Sequence, residues 1–307
     1  MTIVVGISPE QRTEAVVHLA GMLARSLDTD AVLCAVVHAA WPPSPAKVDA
    51  EYREYLRTAA TDMLEEARER LSADVPATAL VHEARSAPAG LIEVAERHDA
   101  SLIAVGSSTA GPLGEVTLGS VSSSLLHSSP IPVALATRGY RCKPVTGVTR
   151  ATAAFSGAAD GQELVVAAAG VAARFGVSLR VASFAVQARP PYTSGVGREA
   201  FGSLRSEWLE AVRAEVSEAL QQVTQLPLVP HGLEAVVGSG ETWEEALEDI
   251  EWDDGDVLVV GSSSAGRIAR VFLGSRATKI VRHSPVPVIV VPRGAAEELA
   301  EDAQTAA

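Results

Sequence analysis

The chain has 307 residues, of which 47% are hydrophobic and only 4% aromatic, and its formal net charge is −13. That length suits two domains of ordinary size with cores built from Val, Leu, Ile and Ala. The acidity argues against a broad nucleic-acid footprint, and two cysteines, Cys34 and Cys142, are too few for a disulfide scaffold or a closed thiolate zinc site.

In chain order, TIVVGI at 2–7 predicts a buried strand, followed by a helix from Glu10 to about Ser26 and a second strand at 31–39. Pro42, Pro43 and Pro45 interrupt the chain before a long polar helix over 47–72. A strand at 78–83, a helix around 88–98 and a strand at 101–106 come next. A helix around 118–128 and an apolar segment at 131–137 close the first half. Cys34 lies within an apolar run and reads as a small core side chain, whereas Cys142 reads as exposed and idle.

The plan then restarts. A weaker strand at 151–156 precedes a helix whose Leu164, Val165, Ala168, Val171 and Ala172 share one face at helical spacing. A strand at 178–186, a loop at 187–197 and a long helix at 199–223 follow. Gly195 and Gly197 suggest a lid role for that loop. A weaker strand at 233–237, a helix at 242–250 and strong strands at 257–261 and 286–291 complete the half. Strands alternating with helices predict βαβ units and a parallel sheet, an α/β fold. Residues 141–149 read as a linker between a domain over 1–140 and a domain over 150–293, with 294–307 as a tail that forms a short helix or a frayed end. No stretch is long and apolar enough for a membrane span, and the start MTIVVGISPE lacks a secretory pattern, so the expectation is a cytoplasmic protein without membrane or nucleic-acid partners.

Two segments align without a gap: VGSSTAGPLGEVTLGSVSSSLLHSSPIPVAL at 105–135 and VGSSSAGRIARVFLGSRATKIVRHSPVPVIV at 260–290. Gly106 matches Gly261, Gly119 matches Gly274, and Ser120 matches Ser275. A whole folding unit is duplicated.

The chemistry sits directly after the fourth strand of each copy, in the loops Gly106–Gly111 and Gly261–Gly266. Gly119-Ser120 and Gly274-Ser275 mark the starts of the helices that follow. Open parallel sheets place crevices beyond their strand C-termini, and a helix start offers unpaired N–H groups to an anion. Glycine permits close backbone approach and serine supplies a hydroxyl, so the set can cradle phosphate. The same residues also serve as turns and caps without any ligand, and duplication copies a structural loop as readily as a functional one.

Conventional catalysis finds little support. No Gly-x-Ser-x-Gly elbow is present, and no base is identifiable beside Ser108 or Ser263. There is no Walker-type Gly-x-x-x-x-Gly-Lys-Ser/Thr loop and no early Gly-x-Gly-x-x-Gly. The seven histidines are dispersed and assemble no metal-ligand spacing. Arg267, Arg270, Arg276, Lys279 and Arg282 form a basic run in the second copy, where the first has Pro112 and Glu115 at the early positions. The bland account of that run is a solvated face; Arg267 is the one placed to approach a polyphosphate loop.

At these residues the sequence resembles the universal stress protein family in its tandem two-domain form. The resemblance covers nearly the whole chain and is strongest over 101–135 and 256–291. It implies a five-stranded parallel sheet in the order 3-2-1-4-5 in each copy and pairing of the domains through their final strands, for which 131–135 and 286–291 are the candidate edges. It further implies homodimerisation and, in some members, binding of ATP or another adenine nucleotide, with Mg2+ left open. The family's ATP-associated pattern is Gly, two residues, Gly, nine residues, then Gly and Ser or Thr. Here Thr109 and Ser264 replace the second glycine of each copy, and Ser8 and Ser156 stand where nucleotide-binding members carry Asp at the end of the first strand. Serine cannot reproduce a carboxylate's charge-assisted contacts.

The resulting expectation is a stress-response regulator that binds an adenine nucleotide through one degenerate site and thereby changes its exposure of a surface to a regulatory protein. The second copy is favoured, with Gly261, Ser263, Ser264, Gly274 and Ser275 on phosphate and Arg267 adding positive potential; Gly106, Ser108, Gly119 and Ser120 form a weaker equivalent. The alternatives are a nucleotide-independent interaction scaffold and a weak nucleotide hydrolase with no assigned base.

Overall fold

The computed structural model describes residues 2–8, 13–38, 47–108, 110, 112–143, 145–157, 159–187, 195–264 and 271–305. The first half runs β1 (Thr2–Gly6), α1 (Thr13–Leu27), β2 (Asp30–His38), α2 (Lys47–Arg70), β3 (Ala77–Ala84), α3 (Ala87–Arg97), β4 (Ala100–Val105), α4 (Ser120–Ser128) and β5 (Val133–Leu135). The second runs β6 (Arg150–Ala154), α5 (Ala159–Arg174), β7 (Ser178–Val186), α6 (Gly195–Val223), β8 (Leu233–Gly240), α7 (Trp243–Glu248), β9 (Asp256–Gly261), β10 (Ser263–Ser264), β11 (Val271–Phe272), α8 (Ser275–His283), β12 (Val288–Val291) and α9 (Arg293–Thr305). Local chemistry accounts for several boundaries. Ser86 accepts the N–H of Ala89 and Pro88 occupies the first turn, which starts α3; Thr242 accepts the N–H of Glu245 and starts α7.

The strands form one ten-stranded sheet in the order β3-β2-β1-β4-β5-β12-β9-β6-β7-β8. Within each half the order is 3-2-1-4-5 and all neighbours are parallel. The halves meet where β5 and β12 pair antiparallel, with Leu135 opposite Val288 and Val133 opposite Val290. Two short apolar strands that would each be an unpaired edge thereby satisfy one another.

Side chains alternate across the sheet: Ile3 and Val5 face one side and Val4 the other. The first face is covered by α1, α2, α5, α6 and α9, the second by α3, α4, α7 and α8. Both cores run through both halves.

The chain between the halves is strapped to α1. Tyr140 donates its hydroxyl to Met22 Sδ at 3.1 Å, Arg25 donates to the Thr146 carbonyl at 2.9 Å, and the Val148 N–H donates to Ser26 Oγ at 2.6 Å. Cys142, expected to be exposed, is instead half-buried with its thiol directed at the His18 carbonyl at 3.5 Å, and burial pushes that thiol up from its ordinary range. After β12 the chain forms α9, and Ala296 and Ala300 are buried against the core that holds α5. The Ala-rich stripe of this segment supplies the close packing that holds it as a helix.

Residues 188–194 of the expected lid loop lie outside the described residues, and Gly195 and Gly197 belong to α6 rather than to a loop.

At the N-terminal ends of the second half's strands lies a charged cluster that periodicity does not signal. Arg180 and Asp256 are 2% and 1% exposed. Asp256 receives Arg150 Nη2 at 2.6 Å and Arg180 Nη2 at 3.4 Å. Arg180 also donates to Thr152 Oγ1 at 3.1 Å and to the Glu251 carbonyl at 2.7 Å, and its guanidinium lies 4.6 Å from the centre of the Trp252 ring.

Candidate functional site

Each half opens a crevice at the C-terminal ends of its parallel strands, where a doubly wound sheet presents one. The first-half crevice, about 480 Å³, lies between the ends of β1 and β2 and α2, and is lined by Ser8, Cys34, Val36, Leu56, Met63 and Leu91 among others. It is largely apolar. Burial pushes the Cys34 thiol up to about 12. Gly106, Ser108, Gly119 and Ser120 do not line it.

The second-half crevice, about 360 Å³, has a different wall. Gly261 ends β9 and Ser262 follows it, and Gly274, Ser275 and Arg276 come from the start of α8. Trp243 and Phe184 line both it and an adjoining pocket of about 210 Å³ that reaches Trp208 and Glu215. Ser156, the serine at the family's Asp position, lines both as well and is exposed. A methyl group at Gly261 would meet Leu164 at 3.4 Å, an ordinary contact, so packing alone does not require a glycine there.

The glycine-serine loops are pinned by hairpins in both copies. β10 pairs antiparallel with β11, Ser263 opposite Phe272 and Ser264 opposite Val271. In the first half the matching bond runs from the Ser108 N–H to the Thr117 carbonyl at 2.8 Å. The side chains of Ser263 and Ser264 and all of Arg267 and Arg270 fall outside what is described.

The two copies differ in how their polar groups are satisfied. In the first half, Ser107 Oγ accepts the Thr117 N–H at 2.6 Å. Gly119 caps α4, and its N–H is taken by Ser122 Oγ at 2.8 Å, a side chain 2% exposed. In the second half, Ala277 aligns with Ser122 and has no hydroxyl. Among the described residues no side chain caps Gly274. Ser262, the counterpart of Ser107, is 7% exposed, and its Oγ has no hydrogen-bond partner among the described residues. A buried hydroxyl without a partner is costly, and Ser262 lines the same crevice as Gly274 and Ser275 at the start of α8, where a helix end receives an anion.

Gly261, Gly274 and Ser275, singled out in the sequence, line this crevice, and so do Ser262, Trp243 and Phe184, which were not singled out. The gapless repeat carries a signal for part of this, since it sets Ala277 against Ser122. The aromatic wall comes from β7, α6 and α7, far from the glycine-serine loop in sequence.

Two doubly wound α/β units joined through their last strands, each with a crevice beyond its strand ends, define a tandem nucleotide-fold protein. The family model of the Universal stress protein family matches residues 1–137 and 149–292, and the chain belongs to that family. Universal stress proteins of Mycobacterium tuberculosis (strain ATCC 25618 / H37Rv) and Mycobacterium bovis are each 38% identical over 296 residues, covering 95% of this chain and 100% of theirs. Among solved structures, a universal stress protein from Archaeoglobus fulgidus DSM 4304 superposes with a TM-score of 0.61 at 19% identity, covering 95% of this chain and 98% of that one. A functionally unknown protein from Pseudomonas aeruginosa PAO1 does so with a TM-score of 0.55 at 17% identity, covering 98% and 97%. These likenesses show the shared fold. No described helix is long and apolar enough to cross a membrane.

Proposed function

We propose that this chain is a cytoplasmic stress-response regulator that binds ATP or another adenine nucleotide through its second-half crevice. The observation that carries the reading is the unpartnered Ser262 hydroxyl beside the uncapped start of α8. Phosphate is received by Ser262, by the backbone at Gly261, Ser263, Ser264 and Gly274, and by Ser275, with Arg276 in the crevice lining supplying positive charge; Arg267, expected from the sequence to add to it, lies outside the described residues. Trp243, Phe184 and Trp208 offer aromatic surface to a base. The first-half set, Gly106, Ser108, Gly119 and Ser120, is the weaker site, because Ser107 and Ser122 already satisfy its polar groups. Binding acts as a switch only if the nucleotide prefers one state of the protein, and the output is an altered surface for a regulatory protein.

Calorimetric titration of nucleotide-free protein with ATP, with and without Mg2+, tests this. Saturable binding that weakens about fivefold in Ser262→Ala, the loss of roughly one hydrogen bond, is expected. No binding by folded protein at high ligand concentration overturns the nucleotide switch. The serines at positions 8 and 156 would then favour the second reading, a nucleotide-independent interaction scaffold.

A further inference from the structure

The strap between the halves lays a thiol against α1. His18 and Met22 stand a turn apart on one face of that helix. Cys142 Sγ is 4.0 Å from His18 Nδ1 and 3.5 Å from the His18 carbonyl oxygen. The Tyr140 hydroxyl, which donates to Met22 Sδ at 3.1 Å, is also within hydrogen-bonding reach of the Cys142 thiol. Two sulfurs, linked through one tyrosine hydroxyl, and an imidazole nitrogen therefore share one patch between strap and helix.

These donors are soft, and the carboxylates around them are engaged elsewhere. Glu14 is paired with Arg141 at 2.8 Å, Asp74 with Arg25 at 2.6 Å and Asp254 with Lys143 at 3.9 Å. Among the described residues no three His, Cys, Asp or Glu side chains come together in the manner of a zinc site. Thiolate, thioether and imidazole suit monovalent copper instead. Bonds of about 2.3 Å to sulfur and about 2.0 Å to nitrogen span about 3.5 Å at a tetrahedral angle and about 4.3 Å in line. The observed 4.0 Å lies nearer the linear limit, the wide angle of an ion held by few ligands. Burial holds His18 below its ordinary value, so its imidazole is a neutral donor at neutral pH. Met22 is fully buried while His18 and Cys142 are half-buried, which leaves the two ligands open to an ion arriving from solvent.

We propose that Cys142 Sγ and His18 Nδ1 bind one Cu(I) ion, with Met22 Sδ the neighbouring soft donor. The bond from copper to sulfur forms as the thiol gives its proton to solvent. The copper stays reduced, and no electron is exchanged. One ligand belongs to the strap and the other to α1, so the ion adds a fastening to those made by Arg25 and Ser26. The site involves neither crevice and is independent of nucleotide binding.

The test is anaerobic titration of the full, reduced chain with Cu(I) in competition with a chromogenic Cu(I) chelator. One ion per chain is expected. Cys142→Ser should weaken binding at least about a hundredfold and His18→Gln at least about tenfold. Cys34→Ala should leave it unchanged, since that thiol is buried in the first-half core. Affinity should rise about tenfold per pH unit above neutrality, one proton displaced for each ion. Arg25 and Asp254 are the charges acting on Cys142, and Glu14 and Arg141 those acting on His18; none of the four is a donor in the set. X-ray absorption at the copper edge should show both sulfur and nitrogen bonded to the ion, and this carries the test should His18→Gln fail to fold. Absence of binding overturns the proposal, as does binding that survives Cys142→Ser. Binding that needs Cys142 but is indifferent to His18→Gln, or copper with sulfur ligands alone, also overturns it and marks capture by an isolated thiol.

Discussion

Ser122 Oγ accepts the N–H of Gly119 at 2.8 Å and so occupies, from within the chain, the donor that the start of α4 would offer an anion. Ala277 leaves the corresponding donor of Gly274 free of any such side chain. Ala277→Ser should therefore close the second cradle and weaken nucleotide binding by about 1 kcal/mol, roughly fivefold in Kd, in a calorimetric titration. Ser122→Ala should leave second-half affinity unchanged.

The Arg150–Asp256–Arg180 cluster sits at the strand ends opposite the crevice. Removing the shared carboxylate strands a nearly fully buried guanidinium. Asp256→Ala is expected to lower stability by roughly 3–5 kcal/mol in urea unfolding, the usual cost of breaking a buried pair from one side. Arg150→Gln should cost less, because Arg180 keeps its other partners.

Asp74 carries an acid-sensitive contact. A hydrogen bond from Arg25 Nε at 2.6 Å holds its carboxyl down to about 2, below the ordinary 3.8. A depressed folded value contributes stability above the unfolded value, and that contribution is lost as pH falls through the folded one. The wild type should lose this contribution between about pH 4 and pH 2, and Asp74→Asn should show a flatter acid branch when thermal midpoints are compared across that range.

Both thiols are raised by burial, Cys34 to about 12. A thiol-disulfide reagent at mildly alkaline pH should label native protein slowly, with Cys142 reacting before fully buried Cys34, and should label both at once after unfolding. Fast labelling of Cys34 in native protein would contradict the packing of β2.

Gly238 lies where a side-chain carbon would come within 2.0 Å of the Ala246 carbonyl oxygen. Gly238→Ala must push α7 away from β8, at a cost of about 1–3 kcal/mol. Because α7 carries Trp243, nucleotide affinity should fall alongside the unfolding midpoint.

Much of the architecture is legible along the chain. The run LIAV at 102–105 and its counterpart VLVV at 257–260 are apolar throughout, as strands buried on both faces must be, and they lie in β4 and β9. The long polar stretch after Pro45 is α2. The site is only partly legible. Preference for the second copy rested on Arg267 and Arg270, which lie outside the described residues. The difference found here lies in Ser262, Ser122 and Ala277. A buried serine can cap, pair with a neighbour or wait for a ligand, and composition does not distinguish these; Ser107 is satisfied and Ser262 has no partner among the described residues, although each follows the matching glycine of the repeat.

Periodicity, turn residues and the gapless repeat suffice to dictate the type and order of the elements and their duplication, because each depends on neighbours within a few positions. Which strands meet at the centre, which hydroxyl is left without a partner and which groove stays open depend on atoms brought together from distant segments. Lys279 Nζ comes within 5.8 Å of the Trp243 ring centre, where the repeat puts Ser124 and Ala87, and only the packed sheet brings those positions together on one face.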